Sequence, residues 1–90
     1  MVKEKVLVNN TTGLHLKPAG VLCNEAIKYQ ASVVFEVRTL SVNAKSVLNV
    51  LAAGVKPGEE IEFICEGPDE AEALAGVVAV VKNNFGEKEV

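Results

Sequence analysis

Apolar and polar residues alternate along residues 32–37 and 60–66, and residues 2–8 are half polar, which is the pattern of strands with one buried face and one wet face. The clearest segment is Glu60 to Glu66, where Ile61, Phe63 and Cys65 point one way and acidic residues dominate the other side. The predicted strands cover residues 2–8, 32–37, 40–43 and 60–66, with a turn at Arg38-Thr39 between the second and the third.

Three further segments place apolar residues at helical spacing and carry signals for helix ends. Ser46 is a natural N-cap, and Gly54 can take the left-handed conformation that ends a helix. The segment between them carries more apolar surface than one side of a two-turn helix can bury. Gly86 is expected to stop the last helix. The predicted helices run from Lys17 or Pro18 to about Lys28, from Ser46 to Gly54, and from Asp69 or Glu70 to Asn84.

These elements follow one another in the order βαββαβα. No strand is long and most keep a polar face, so an antiparallel sheet with helices packed on one side is predicted. This is an open-faced sandwich of the α+β class. With 90 residues, 49% of them hydrophobic and 23% charged, the chain suits one modest core, and we expect a single domain over residues 1–90.

Charge and composition exclude several classes of function. The net charge of −3 combines +4 over residues 1–58 with −7 over residues 59–90, and basic residues form no cluster. Aromatic residues make up only 4% of the chain, so nucleic-acid binding is poorly supported. No apolar run is as long as a membrane helix, and the first residues lack the apolar stretch of a secretory signal. A cytoplasmic protein without membrane insertion is expected.

The two cysteines, Cys23 and Cys65, do not form a recognisable framework. Neither belongs to a C-x-x-C pair, and there is no second histidine to complete a zinc site, so no metal or cofactor is expected. The simplest interpretation is two buried, reduced thiols. The sequence leaves a disulfide between them open.

His15 is the single histidine, and it lies where a turn-rich loop, residues 9–13, leads into a helix start. A helix N-terminus carries free N–H groups and partial positive charge, which attract anions and disfavour a second positive charge. The neutral imidazole is therefore favoured, and this is the nucleophilic form. Lys17, the helix end and the hydroxyls of Thr11 and Thr12 are candidates for holding the oxygens of a phosphoryl group.

The residues alone leave a plainer alternative open, because a lone surface histidine is more often incidental than reactive. No second carboxylate, Cys–His pair or Ser–His–Asp set suggests hydrolysis, and the glycines form no phosphate-binding Walker loop. The chain is thus not expected to be an enzyme in its own right. Ser46 also has two interpretations. It is fully explained as an N-cap, yet a phosphate at a helix N-terminus would also be stabilised.

Two stretches carry a resemblance to a known family. Residues 12–19 (TGLHLKPA) resemble the active-site signature of HPr, the histidine-containing phosphocarrier family of the bacterial sugar phosphotransferase system. Residues 43–51 (NAKSVLNVL) resemble that family's second signature, around a regulatory serine. The likeness extends over the whole chain in length and element order. It implies a four-stranded antiparallel sheet covered on one face by three helices.

The resemblance also implies roles for individual residues. His15 would accept a phosphoryl group from phospho-enzyme I, itself charged by phosphoenolpyruvate, and pass it to the IIA domains of sugar permeases. Lys17 would act as the phosphate clamp, supported by Thr12 and Leu16. In Gram-positive relatives an HPr kinase/phosphorylase modifies the serine matched by Ser46, and that form binds the transcription factor of catabolite repression. The implied docking patch consists of Val47, Leu48 and Leu51.

The chain departs from the usual pattern directly after the histidine. The family commonly has Ala-Arg-Pro there, whereas this chain has Leu16-Lys17-Pro18. Lysine keeps the positive charge but lacks the planar fork that holds phosphate through two parallel hydrogen bonds. A second hypothesis therefore stands beside the carrier. In it the chain is a divergent regulatory binding protein that acts through phosphorylation of Ser46 and its apolar helix, while His15 is silent.

Overall fold

The computed structural model describes residues 1–87 and contains one four-stranded sheet, three α-helices and a final 3₁₀ turn. The strands lie in the order β1-β4-β2-β3, and each neighbouring pair is antiparallel. The elements are β1 (Val2–Leu7), α1 (Leu16–Ala26), β2 (Ser32–Val37), β3 (Leu40–Asn43), α2 (Val47–Ala53), β4 (Glu60–Glu66), α3 (Glu70–Lys82) and the 3₁₀ turn Asn84–Gly86. The predicted order, sheet and fold class are confirmed.

The core lies between the helices and one face of the sheet. At its centre Phe35 of β2 and Phe63 of β4 face each other in register and meet edge to face, with ring centroids 5.8 Å apart and an interplanar angle of 74°. Ile61 and Cys65 on β4 point to the same side and are buried. The opposite face carries residues such as Lys3, Lys5 and Glu36, which explains the alternation in the sequence.

Helix α2 is held at both ends by the groups that the sequence predicts. Gly54 takes the left-handed conformation (φ 60°), and its N–H donates to the Leu51 carbonyl oxygen. Arg38, in the turn between β2 and β3, donates to the Ala53 carbonyl oxygen and to the Glu59 carboxylate. These contacts join the hairpin turn, the C-terminal end of α2 and the segment before β4.

The end of the last helix differs from the prediction. Helix α3 ends at Lys82, two residues before the predicted end at Asn84, and the chain turns through Asn84 (φ 51°) and Phe85 (φ 58°) before it reaches Gly86. The reason is that Phe85, only 4% exposed, is drawn into the core. The prediction for the cysteines is wrong in one respect. Both thiols are free and Cys65 is buried, but Cys23 is only partly buried.

Within residues 1–87, no helix combines the length and the apolar character needed to cross a membrane.

Candidate functional site

His15 occupies the N-cap position of α1 and is exposed. Its backbone is extended (φ −78°, ψ −174°), and its carbonyl oxygen accepts the first hydrogen bond of the helix, from the Ala19 N–H at 2.8 Å. The imidazole makes no capping hydrogen bond to the helix. The backbone N–H groups of Leu16 and Lys17 come before that first bond, so they are available to an anion.

The loop before His15 is fixed by its contacts with the segment after α2. The Leu14 N–H donates to the Val55 carbonyl oxygen at 2.9 Å. Gly13 has a positive φ of 68°, and a Cβ atom there would lie 2.3 Å from the same oxygen. Only glycine permits this close approach, which explains its position two residues before the histidine.

Asn10 is a structural residue of this loop that sequence reasoning missed. It is 4% exposed, and its Nδ2 donates to the Gly13 carbonyl oxygen at 3.0 Å and to Glu87 Oε1 at 2.8 Å. Its Oδ1 is buried without a hydrogen-bond partner among residues 1–87. The turn-rich composition of residues 9–13 predicted a loop. Nothing in it indicated that one amide would connect this loop to a residue 77 positions away.

A shallow depression beside the imidazole brings together three of the residues expected at the site. Thr12, His15 and Leu51 all border it. The Lys17 side chain is exposed on the first turn of α1 and does not border the depression. Its described lining consists of Thr12, Leu14, His15, Leu51, Gly54, Val55 and Lys56.

Apolar side chains stand exposed on both helices near the histidine. Leu16 on α1 is 64% exposed and Leu48 on α2 is 75% exposed. Val47 and Leu51 are half-buried and pack against the core, so they contribute less free surface. The surplus apolar character of the short helix therefore lies mainly at Leu48.

Ser46 is the N-cap of α2, as the sequence predicts. Its Oγ accepts a hydrogen bond from the Asn49 N–H at 3.3 Å, and the residue is partly buried. The segment before it is tied to α1, because Cys23 Sγ donates to the Lys45 carbonyl oxygen at 3.0 Å. The start of α2 is thereby positioned against the helix that begins at His15.

One carboxylate near the site is already engaged. Hydrogen bonds from Arg38 and, second, from the Lys56 N–H lower the pKa of Glu59, which keeps its charge at neutral pH. The Lys56 N–H donates to Glu59 Oε1 at 2.8 Å, whereas Arg38 donates to Oε2. This carboxylate is thus committed to the turn between α2 and β4.

Comparisons with known proteins agree with this geometry. Residues 2–83 match the family model described as the PTS HPr component phosphorylation site. The phosphocarrier protein HPr of Treponema pallidum is 35% identical and covers 98% of this chain and 100% of its own. The HPr-like protein Crh of Bacillus subtilis is 38% identical, covering 91% and 96% respectively.

Solved structures give the same result. The crystal structure of HPr-C-His from Thermoanaerobacter tengcongensis superposes with a TM-score of 0.95 at 32% identity. It covers 99% of this chain and 100% of that one. The family match, the identities and the superposition leave one conclusion: the chain belongs to the HPr family of the phosphotransferase system.

Proposed function

We propose that this chain is a phosphocarrier in which His15 accepts a phosphoryl group from phospho-enzyme I and passes it to IIA domains of sugar permeases. It acts as a single domain over residues 1–90, in the cytoplasm, as a substrate of other enzymes and not as an enzyme itself. The observation that carries the proposal is the exposed imidazole at the N-cap of α1, which makes no capping bond of its own.

The transfer step follows from this position. A nitrogen of the neutral imidazole attacks phosphorus, a new N–P bond forms, and the bond from phosphorus to the donor's leaving atom breaks with its electron pair going to that atom. The other ring nitrogen keeps its proton. The N–H groups of Leu16 and Lys17, the Lys17 ammonium and the Thr12 hydroxyl are the donors for the phosphoryl oxygens. Attack by a IIA acceptor reverses the same bond changes.

The partners are recognised through the apolar surface beside the histidine. Leu16 and Leu48 are exposed large hydrophobic residues, whereas Val47 and Leu51 are half-buried and pack against the core. Burying such side chains in an interface contributes about 1.5–3 kcal/mol for each one fully covered. Enzyme I, the IIA domains and a kinase would share this surface and bind to it in turn.

Ser46 is the proposed regulatory site on the same surface. Phosphorylation by an HPr kinase/phosphorylase would add about two negative charges next to Leu48. A partner that buries this patch would then have to desolvate the phosphate, so phosphorylated Ser46 would hinder transfer to His15. The modified form is the one that a transcription factor of catabolite repression would bind.

The second candidate is the regulatory protein that works through Ser46 while His15 stays silent. The relatives described as HPr-like protein Crh, at 38% and 33% identity, favour keeping this candidate. It predicts a chain that the kinase labels at Ser46 and that enzyme I does not label.

The test is incubation with enzyme I and labelled phosphoenolpyruvate, followed by measurement of the stability of the label in acid and in base. We expect an acid-labile, base-stable label, which is the behaviour of phosphohistidine. An ordinary HPr is labelled in parallel as the control. If only the control is labelled, the carrier function is wrong and the regulatory candidate replaces it.

A further inference from the structure

The depression beside His15 is bordered by a cation that the family signature does not include. Among the described residues that line the depression, Lys56 is the one lysine or arginine, and none is an aspartate or glutamate. Lys17, the cation that the signature supplies, does not border it. An anion on the imidazole would thus lie beside a depression that Lys56 also borders.

The backbone brings Lys56 close to the histidine. A Cβ atom placed on Gly13 would lie 3.0 Å from the Cα atom of Lys56, so the two backbones are in contact. His15 follows Gly13 by two residues, a span of at most about 7 Å. The long, flexible side chain of lysine covers such a distance.

The Lys56 ammonium group makes no direct ion pair that would keep it from an anion. Among residues 1–87, no carboxylate lies within ion-pair distance of it. Besides the hydrogen bond from Arg38, the Lys56 charge helps to lower the pKa of Glu59, but one Glu59 oxygen accepts from the Lys56 backbone N–H and the other from Arg38. Both oxygens of Glu59 thus already have donors, and this carboxylate attracts the ammonium group without pairing with it.

We propose that Lys56 is a second phosphate-binding residue, which contacts the phosphoryl group on His15 in addition to Lys17. This proposal rests on the proposed function and deepens it. A single lysine is a point charge and cannot hold two oxygens in the fixed fork that arginine provides. Two lysines from separate segments, one on α1 and one after α2, supply two independent donors in place of the arginine fork.

The decisive measurement avoids the partner proteins. The chain is phosphorylated chemically with phosphoramidate, where the P–N bond of the reagent breaks, ammonia leaves, and an N–P bond to the imidazole forms. The phosphoryl group is then titrated by ³¹P NMR in the wild type, Lys56→Gln, Lys56→Arg and Lys3→Gln. Lys3 lies on the open face of the sheet, so its variant removes the same charge away from the site.

The expected result is a higher pKa of the phosphoryl group in Lys56→Gln, because a nearby cation stabilises the dianion. Lys56→Arg should titrate like the wild type, and Lys3→Gln should not change the titration. With enzyme I, Lys56→Gln should lower the transfer rate about threefold to tenfold, as expected for the loss of one partly solvated charge-assisted hydrogen bond. The loss should appear in kcat more than in KM.

An unchanged phosphoryl titration in Lys56→Gln would overturn the proposal, whatever happens to the rate with enzyme I. If the titration is unchanged but transfer from enzyme I is slower, Lys56 contacts the partner protein and not the phosphoryl group. Failure of the carrier function itself has a different signature. Enzyme I would then leave the wild type unlabelled, while the chemically phosphorylated protein could still be titrated.

Discussion

Helices α1 and α2 differ in how their N-cap residues are used. Ser46 caps α2 with its own side chain, which accepts a hydrogen bond from the Asn49 N–H. His15 holds the N-cap position of α1 but makes no such bond. The start of α1 is fixed instead by backbone contacts of the preceding loop, such as the bond from the Leu14 N–H to Val55.

This difference determines whether the N-cap side chain stabilises the helix or is available for chemistry. Where a side chain caps its helix, its polar atom is occupied and replacing it costs stability. Where backbone contacts of the preceding loop fix the helix start instead, the side chain and the first N–H groups are left for a ligand. The α1 start therefore has the features of a reactive site, and the α2 start has those of a structural element that a phosphate can modify.

The largest expected effect is on function at α1. His15→Ala should abolish acid-labile labelling by enzyme I, because the phosphoryl acceptor is removed. Its unfolding free energy should stay within about 0.5 kcal/mol of the wild type, since the imidazole makes no capping bond. Labelling and urea unfolding of the same preparation measure both. Retained acid-labile label would rule out His15 as the acceptor.

The next effect is on the loop that holds His15 at the start of α1. Gly13→Ala should lower the unfolding free energy by about 2–4 kcal/mol, because a left-handed backbone and a clash with the Val55 carbonyl are combined. Gly54→Ala is the matched control, with a similar φ of 60° and no atom within 4 Å of the added Cβ. It should cost only about 1–2 kcal/mol. Equal losses in urea unfolding would show that the close contact is unimportant.

A smaller loss is expected at the capped helix. Ser46→Ala should cost about 1 kcal/mol of stability, while enzyme I still labels the protein. Ser46→Asp should keep the stability, since aspartate is a good N-cap, yet slow the labelling through its charge beside Leu48. If Ser46→Ala is as stable as the wild type, the contrast between the two helix starts fails.

The smallest effect concerns the departure from the usual signature. Lys17→Arg should raise the rate of transfer from enzyme I about twofold to fivefold, because arginine can hold two phosphoryl oxygens at once. Initial rates at several protein concentrations measure it, with Lys3→Arg as the control. An unchanged or slower rate would mean that the site has adapted to lysine.

Most of the architecture could be predicted from the sequence, because local signals and tertiary packing agree. Alternation marked β2 and β4, and Ser46 and Gly54 marked both ends of α2 where the structure has them. The end of α3 could not be predicted. Burial of the Phe85 side chain outweighs the unfavourable left-handed backbone at that residue. No local sequence signal shows that Phe85 will be buried.

The site was only partly predictable, because some of its residues meet through tertiary packing that leaves no local signal in the sequence. His15, Thr12 and Lys17 belong to one short segment, so the resemblance could indicate them. Asn10 acts through Glu87, and Lys56 approaches His15 through a contact with the loop, so both depend on how distant segments meet.

The most direct test of the carrier function is a relay in one tube. Enzyme I, labelled phosphoenolpyruvate and a IIA domain are mixed with the wild-type chain, with His15→Ala, or with neither, and the label on the IIA domain is followed over time. We predict that the IIA domain becomes labelled only with the wild-type chain. Equal labelling of the IIA domain with His15→Ala would contradict the carrier function. So would the absence of label with the wild-type chain when an ordinary HPr supports labelling.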